Sequence, residues 1–157
     1  MKMFTGAQDV LAAVGEQLGT SDWMVIDQQR VAMFADATED HQWIHIDPGR
    51  AARGPFGTTI AHGFLILSLL PHLVFQTYQV TDAAMTINYG LNKVRFPAPV
   101  PVGSRIRADV ALAEATKVTG GVQLVLRVTL QIESAPKPGC VAEWVIRVQF
   151  PNPANEG

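Results

Sequence analysis

The chain has 157 residues, 48% of them apolar, which fits one folded domain with a sizeable core. Its 12 basic and 14 acidic residues nearly cancel, without the excess of Lys and Arg that marks a sequence-independent nucleic-acid binder, so a small-molecule substrate is expected. The single Cys140 excludes an intrachain disulfide and a multi-cysteine zinc site, and with no basic neighbour it reads as a buried, unreactive thiol.

No basic-then-apolar leader opens the chain, so a cytoplasmic protein is expected. Val10, Leu11, Val14 and Leu18 recur at helical spacing, and Gly19 would cap that first helix. A strand is expected over Trp23 to Ile26. Asp27 can then cap a second helix running through Ala37, with Val31, Phe34 and Ala35 inward. Asp40 to Asp47 is read as a loop between two helix ends, because Asp47-Pro48 supplies the N-cap and first turn of another short helix through Arg53. From Ile60 to about Gln76 apolar residues surround the whole helical circumference, which predicts one helix buried on nearly all sides and kinked at Pro71. Its most apolar part, Phe64 to Phe75, is too short to span a bilayer.

The second half alternates with period two. Val122, Leu124, Leu126, Val128, Leu130 and Ile132 share one strand face; Ile106 to Leu112 and Trp144 to Phe150 repeat the pattern. Turns are expected at Thr119-Gly120-Gly121 and Pro136 to Gly139. Along Met85 to Phe96 the apolar positions change from odd (Met85, Ile87, Tyr89, Leu91) to even (Val94, Phe96), so a bulge near Gly90 to Asn92 is expected. One apolar helix and a long antiparallel sheet give an α+β class, with the sheet curled around the helix.

The chemistry concentrates in Thr38-Glu39-Asp40-His41-Gln42-Trp43-Ile44-His45 and in His62-Gly63. A carboxylate and an imidazole five positions apart can grip one water, with His45 taking or giving a proton and Asp40 orienting the water or sharing the transfer. Gly63, opening a helix, has an amide N–H without an intrahelical acceptor and no side chain to block a carbonyl, so it can receive a developing oxyanion. The same residues also suit structural roles: Asp40 can finish a helix and His45 can be a hydrogen-bonded loop residue. His41 and His45 form an H-x-x-x-H pair, but a non-helical segment would not align their rings on a metal, and none is expected. No G-x-S-x-G elbow and no Gly-rich phosphate loop occurs, which disfavours a serine hydrolase and a nucleotide cofactor.

The stretch from Phe34 to His45, continued by Asp47-Pro48 and Ala51, resembles the hydratase-2 motif of MaoC-like (R)-specific enoyl-CoA hydratases. Gly57 to Gly63, Asn88 to Pro97 and Val102-Gly103-Ser104 extend the likeness across residues 20 to 150, closest to nodulation-protein-N-like single-domain members. The resemblance implies a hot-dog fold over 1–157, a homodimer whose acyl tunnel both protomers bound, and no cofactor. It implies that Asp40 and His45 hold the water added to a trans-2-enoyl-CoA, giving the (R)-3-hydroxyacyl-CoA, while the Gly63 N–H binds the thioester oxygen. Gln42, His62, Lys93, Arg95 and Phe96 are the substrate-binding candidates, and Lys93, Arg95, Arg105 and Arg107, on two adjacent predicted strand segments, could meet the phosphates of coenzyme A. Phe64, Leu67, Phe75 and Trp43 could shape the tunnel's depth. The chain departs from the usual Gly-Asp-x-Asn-Pro at Glu39-Asp40-His41-Gln42-Trp43. A dehydratase acting on acyl carrier protein, a hot-dog thioesterase and a non-catalytic acyl-CoA binder remain alternatives.

Overall fold

Five strands and a two-residue addition form the main sheet of the computed structural model, which describes residues 1–152. In chain order the elements are β1 Lys2–Phe4, α1 Gly6–Ala12, β2 Gln17–Thr20, β3 Met24–Val25, α2 Gln28–Thr38, α3 Trp43–Ile46, α4 Pro48–Ala52, α5 Gly63–Ser68, α6 Leu70–Val74, β4 Tyr78–Val80, β5 Met85–Arg95, β6 Arg105–Val118, β7 Gly121–Ile132 and β8 Cys140–Gln149. The sheet runs β2-β6-β7-β8-β5, with β3 added to β6, while β1 and β4 form a separate parallel pair.

The period-two faces pack as their alternation dictates. Ile106, Ala108, Val110 and Leu112 on β6, the six alternating residues of β7 and Trp144, Ile146 and Val148 on β8 are all buried against the central helices. Cys140 joins them, and burial pushes its thiol up to about 11. This is the α+β, sheet-around-helix arrangement expected of a hot-dog fold. No helix among the described residues is long and apolar enough to cross a membrane.

Four local expectations change. The first helix stops at Ala12, and Leu18 and Gly19 lie in β2: Gly15 adopts φ 90, donates its N–H to Leu112 O, and turns the chain onto the β6 edge. The central helix begins at Gly63, not Ile60, because residues 59–62 are held extended by Ala61 N–H to Val100 O and Val102 N–H to Thr59 O. It breaks at Leu69 ahead of Pro71, giving α5 and α6. Nor is it buried all round: Phe64, Ser68, His72 and Phe75 form an exposed strip, with Phe64 71% exposed. Along β5 there are two bulges, with Tyr89 and Asn92 as the extra residues. Pairing with β8 therefore turns Thr86, Asn88, Leu91 and Val94 toward the helices and leaves Met85 and Ile87 opposite Gln149 and Arg147 on the outer face. Of the odd-numbered set Met85, Ile87, Tyr89 and Leu91, the pairing thus splits Leu91 from Met85 and Ile87 and makes Tyr89 a bulge residue.

Candidate active site

Helix α2 is started by the Asp27 carboxylate, which accepts the Arg30 N–H at 2.8 Å, and is stopped by Glu39 in the left-handed conformation at φ 62. That reversal places Asp40 at the mouth of a loop whose next element is α3, a single helical turn where an irregular loop was expected. The turn is closed by the Gln42 carbonyl, which accepts the His45 N–H at 3.0 Å, and it carries His45 inward to 6% exposure. His41 points the other way, to Asp36 at 2.9 Å, and that carboxylate raises its pKa; the H-x-x-x-H pair is not a ligand pair. Asp47 caps α4 through the Arg50 N–H, as its Asp-Pro signature requires.

Extended residues 59–62 bring the second half of the site. Ile60 N–H donates to Ile44 O, and His45 Nδ1–H donates to Ile60 O at 2.7 Å. Because a carbonyl only accepts, this bond fixes the proton on Nδ1 and leaves the Nε2 lone pair of His45 available. Burial lowers the pKa of His45, and neighbouring His62 adds to that, against the opposing effects of the Ile60 carbonyl and Asp40. His62 stacks on His45 with ring centres 3.8 Å apart and donates from Nε2 to the Asp40 carbonyl at 3.0 Å. Phe34 covers another side of His62 at 5.0 Å.

Asp40, His45 and His62 thus meet: a nitrogen of each ring and a carboxylate oxygen lie within 4.8 Å of one another. The two imidazole planes are 25° from parallel. Gly63 follows His62 directly as the first residue of α5. A Cβ there would sit 3.2 Å from the Phe96 ring, so Phe96 lies against the backbone where Gly63 opens the helix. Gln42 contributes its backbone to the α3 turn, and its N–H lies 3.4 Å from Asp40 Oδ1.

The cations do not gather as expected. Strands β5 and β6 are separated by β7 and β8, so Lys93 and Arg95 lie apart from Arg105 and Arg107. Arg105 pairs with Glu133; Arg107 bonds Gln131 and covers the Trp23 ring at 4.4 Å. Lys93 and Arg95 instead share a hollow of about 130 Å³ with Arg127 and Glu143. Sequence reasoning missed Gln28, whose side chain donates to His45 O at 2.7 Å and accepts from Thr59 Oγ1 at 2.6 Å. In sequence it is an ordinary first-turn helix residue, and only the fold brings it across to His45.

A larger cleft of about 280 Å³ runs between the central helices and β5, lined by Leu67, Pro71, Asn88, Leu91 and Trp144. Trp144 Nε1–H donates to Asn88 Oδ1 at 2.8 Å. Beyond it, Phe75, Tyr78, Val80 and Thr86 line a second hollow of about 290 Å³. Phe75 packs on Trp144 with ring centres 5.8 Å apart, between the two spaces.

The family model for the MaoC like domain matches residues 9–133. Over 148 residues the chain is 56% identical to 3-hydroxyacyl-thioester dehydratase Z of Mycobacterium tuberculosis (strain ATCC 25618 / H37Rv), covering 94% of this chain and 98% of the relative. It is 45% identical to nodulation protein N of Rhizobium leguminosarum bv. viciae, covering 95% of each. Among solved structures, the (R)-hydratase from A. caviae involved in PHA biosynthesis superposes with a TM-score of 0.67 at 27% identity, covering 88% of this chain and 96% of that one. The family match, the two full-length relatives and the superposed fold together show that this chain belongs to the MaoC-like dehydratase family.

Proposed function

We propose that the protein, as one domain over residues 1–157, reversibly hydrates trans-2-enoyl-CoA to the (R)-3-hydroxyacyl-CoA. The observation that carries this reading is the convergence of Asp40 and a buried His45 of fixed tautomer on His62, the residue directly before the helix opening at Gly63. His45 Nε2 takes a proton from water as the oxygen bonds to C3. The π pair moves through C2 onto the thioester oxygen, which the Gly63 N–H receives. C2 then takes a proton from the Asp40–His45 pair, so one water is consumed and the protein ends in its starting protonation state. The reverse sequence is the dehydration named in the M. tuberculosis relative.

In this reading the acyl chain runs along the cleft beside α5 and α6, and Gly63 is the first residue of α5. Lys93 and Arg95, close in sequence to Phe96, provide positive charge for the phosphates of the thioester carrier. A homodimer completes the site. Strand β5 ends the sheet with an 11-residue edge, and Met85, Ile87, Tyr89, Leu91, Phe96 and Phe64 are exposed on and around it, surface that a second copy would cover.

Hydration of crotonyl-CoA, followed as loss of enoyl absorbance, tests the proposal. Asp40→Asn and His45→Gln should each lower turnover by roughly 10² to 10⁴ while the protein stays folded. Full activity in either variant removes the assigned chemistry. Comparing CoA with carrier-protein thioesters separates the two carriers, and release of free thiol without change at the double bond would indicate a thioesterase.

A further inference from the structure

Both ends of His45 are tied to one short segment, and the tie at its backbone end runs through Gln28. The ring donates from Nδ1 to the Ile60 carbonyl at 2.7 Å. The His45 carbonyl accepts from Gln28 Nε2 at 2.7 Å, and Gln28 Oε1 accepts from the Thr59 hydroxyl at 2.6 Å. These bonds close a circuit through two adjacent residues, Thr59 and Ile60. Because a carbonyl oxygen only accepts, the amide NH2 of Gln28 has to face His45 and its oxygen has to face Thr59. Thr59 and His45 are both buried, so water is a poor replacement for either bond.

The mount on which Gln28 stands is itself fixed. Ile26 donates its N–H to Ser104 O and accepts from the Gly103 N–H, the Asp27 carboxylate caps the first turn of α2, and Thr59 O accepts from the Val102 N–H. Residues 102–104 thus anchor both the segment before Gln28 and the segment that carries Thr59. The α3 turn, in contrast, is only four residues long and ends one residue past His45. The last carbonyls of a helix have no intrahelical donor, and a single turn holds its own shape poorly.

We propose that Gln28 is a positioning residue for the hydration: by holding the His45 carbonyl it sets where the ring, and so the Nε2 lone pair, stands beside Asp40. This rests on the reading of His45 as the base and adds to it a residue that touches neither water nor substrate. Without the Gln28 bond, the bonds from α3 to the 59–62 segment are Ile60 N–H to Ile44 O and His45 Nδ1–H to Ile60 O, both to one residue, on which the turn can pivot. A misplacement of about 1 Å at a reacting group can cost about 10²-fold in rate.

Gln28→Met keeps the side-chain length and removes both bonds, and Gln28→Asn keeps an amide that is too short to span both partners. In a crotonyl-CoA assay each should lower kcat by about 10- to 100-fold, with KM within about threefold of native. Thr59→Ser, which retains the hydroxyl, should keep native turnover, whereas Thr59→Val should lower it. Two readouts separate positioning from general damage. In a His45→Gln background, where no base is left to position, Gln28→Met should change the residual rate by less than about threefold. By proton NMR of the ring N–H, the His45 Nδ1 proton should exchange with solvent about tenfold faster in Gln28→Met than in the native protein. Native kcat in both Gln28 variants, a loss of full size in the His45→Gln background, or unchanged exchange at Nδ1 overturns the proposal. If the native protein does not hydrate enoyl thioesters, the proposed reaction fails and this inference falls with it, a result distinct from an active enzyme indifferent to position 28.

Discussion

Replacing Phe75 with alanine should lengthen the acyl chain this protein accepts. Phe75 stands between the cleft of about 280 Å³ beside α5 and the hollow of about 290 Å³ lined by Tyr78 and Thr86, with its ring on Trp144. Removing the ring should join them and roughly double the space beside α5 and α6. Each additional methylene buried there contributes about 0.8 kcal/mol, or about fourfold in kcat/KM. Two extra methylenes should therefore shift the ratio of long to short substrates by about 15-fold. The residue is 39% exposed, so truncation should cost less than a fully buried Phe→Ala, about 2–3 kcal/mol. Phe75→Leu, which opens less space, offers a milder version if the alanine variant is too unstable. The assay is kcat/KM for crotonyl-, octenoyl-, dodecenoyl- and hexadecenoyl-CoA with native and variant enzyme. A chain-length profile that falls or rises uniformly, without a change in shape, would refute the placement of the acyl chain along this seam.

Other consequences can be checked as directly. His45 must be unprotonated at Nε2 to act as base, and burial depresses its pKa below 6.5, so the acid limb of kcat/KM should fall at a pH below that of a free histidine. The same shift has a thermodynamic counterpart: the unfolded chain binds this proton more tightly, so stability present above about pH 6.5 should decline as pH drops through the lower folded-state pKa, as acid titration of thermal unfolding would show. Glu39 holds φ 62 without being glycine, and Glu39→Gly should stabilise the fold by about 1 kcal/mol, raising Tm by about 2–4 °C. A lower Tm would mean that the Glu39 side chain contributes more than its backbone strain costs. Gly63→Ala should fold, because the glycine has an ordinary φ, but its new methyl must displace the Phe96 ring from 3.2 Å. Its effect should be a loss of kcat greater than the rise in KM, measured by steady-state hydration kinetics; an unchanged rate would remove Gly63 from the oxyanion position.

Much of this architecture was legible because local chemistry and tertiary demand agree. The alternation on β6, β7 and β8 is a direct image of a sheet with one buried face. Asp27 and Asp47 sit at caps that their side chains satisfy, and Asp40 falls just past a helix end because Glu39 reverses the chain there. The single bulge read into β5 was half of the truth: periodicity records a net change of parity but does not say which residues are extra, and pairing with β8 decided for Tyr89 and Asn92.

Residue types and order by themselves determined the fold class, the principal strands and the presence of a carboxylate, an imidazole and a glycine amide suited to one reaction. Contacts between distant segments decided the rest. The Nδ1 proton of His45 is fixed by the Ile60 carbonyl, and its backbone carbonyl is held by Gln28, itself bonded by Thr59. His62 becomes part of the site only when residues 59–62 run extended beside 100–102. The four cations expected near one entrance are divided because β7 and β8 insert between β5 and β6. The physical reason is the same in each case: hydrogen bonding and hydrophobic periodicity act over a few residues and leave a mark in sequence, whereas the partner of a buried polar atom is chosen by chain topology, which local pattern does not encode.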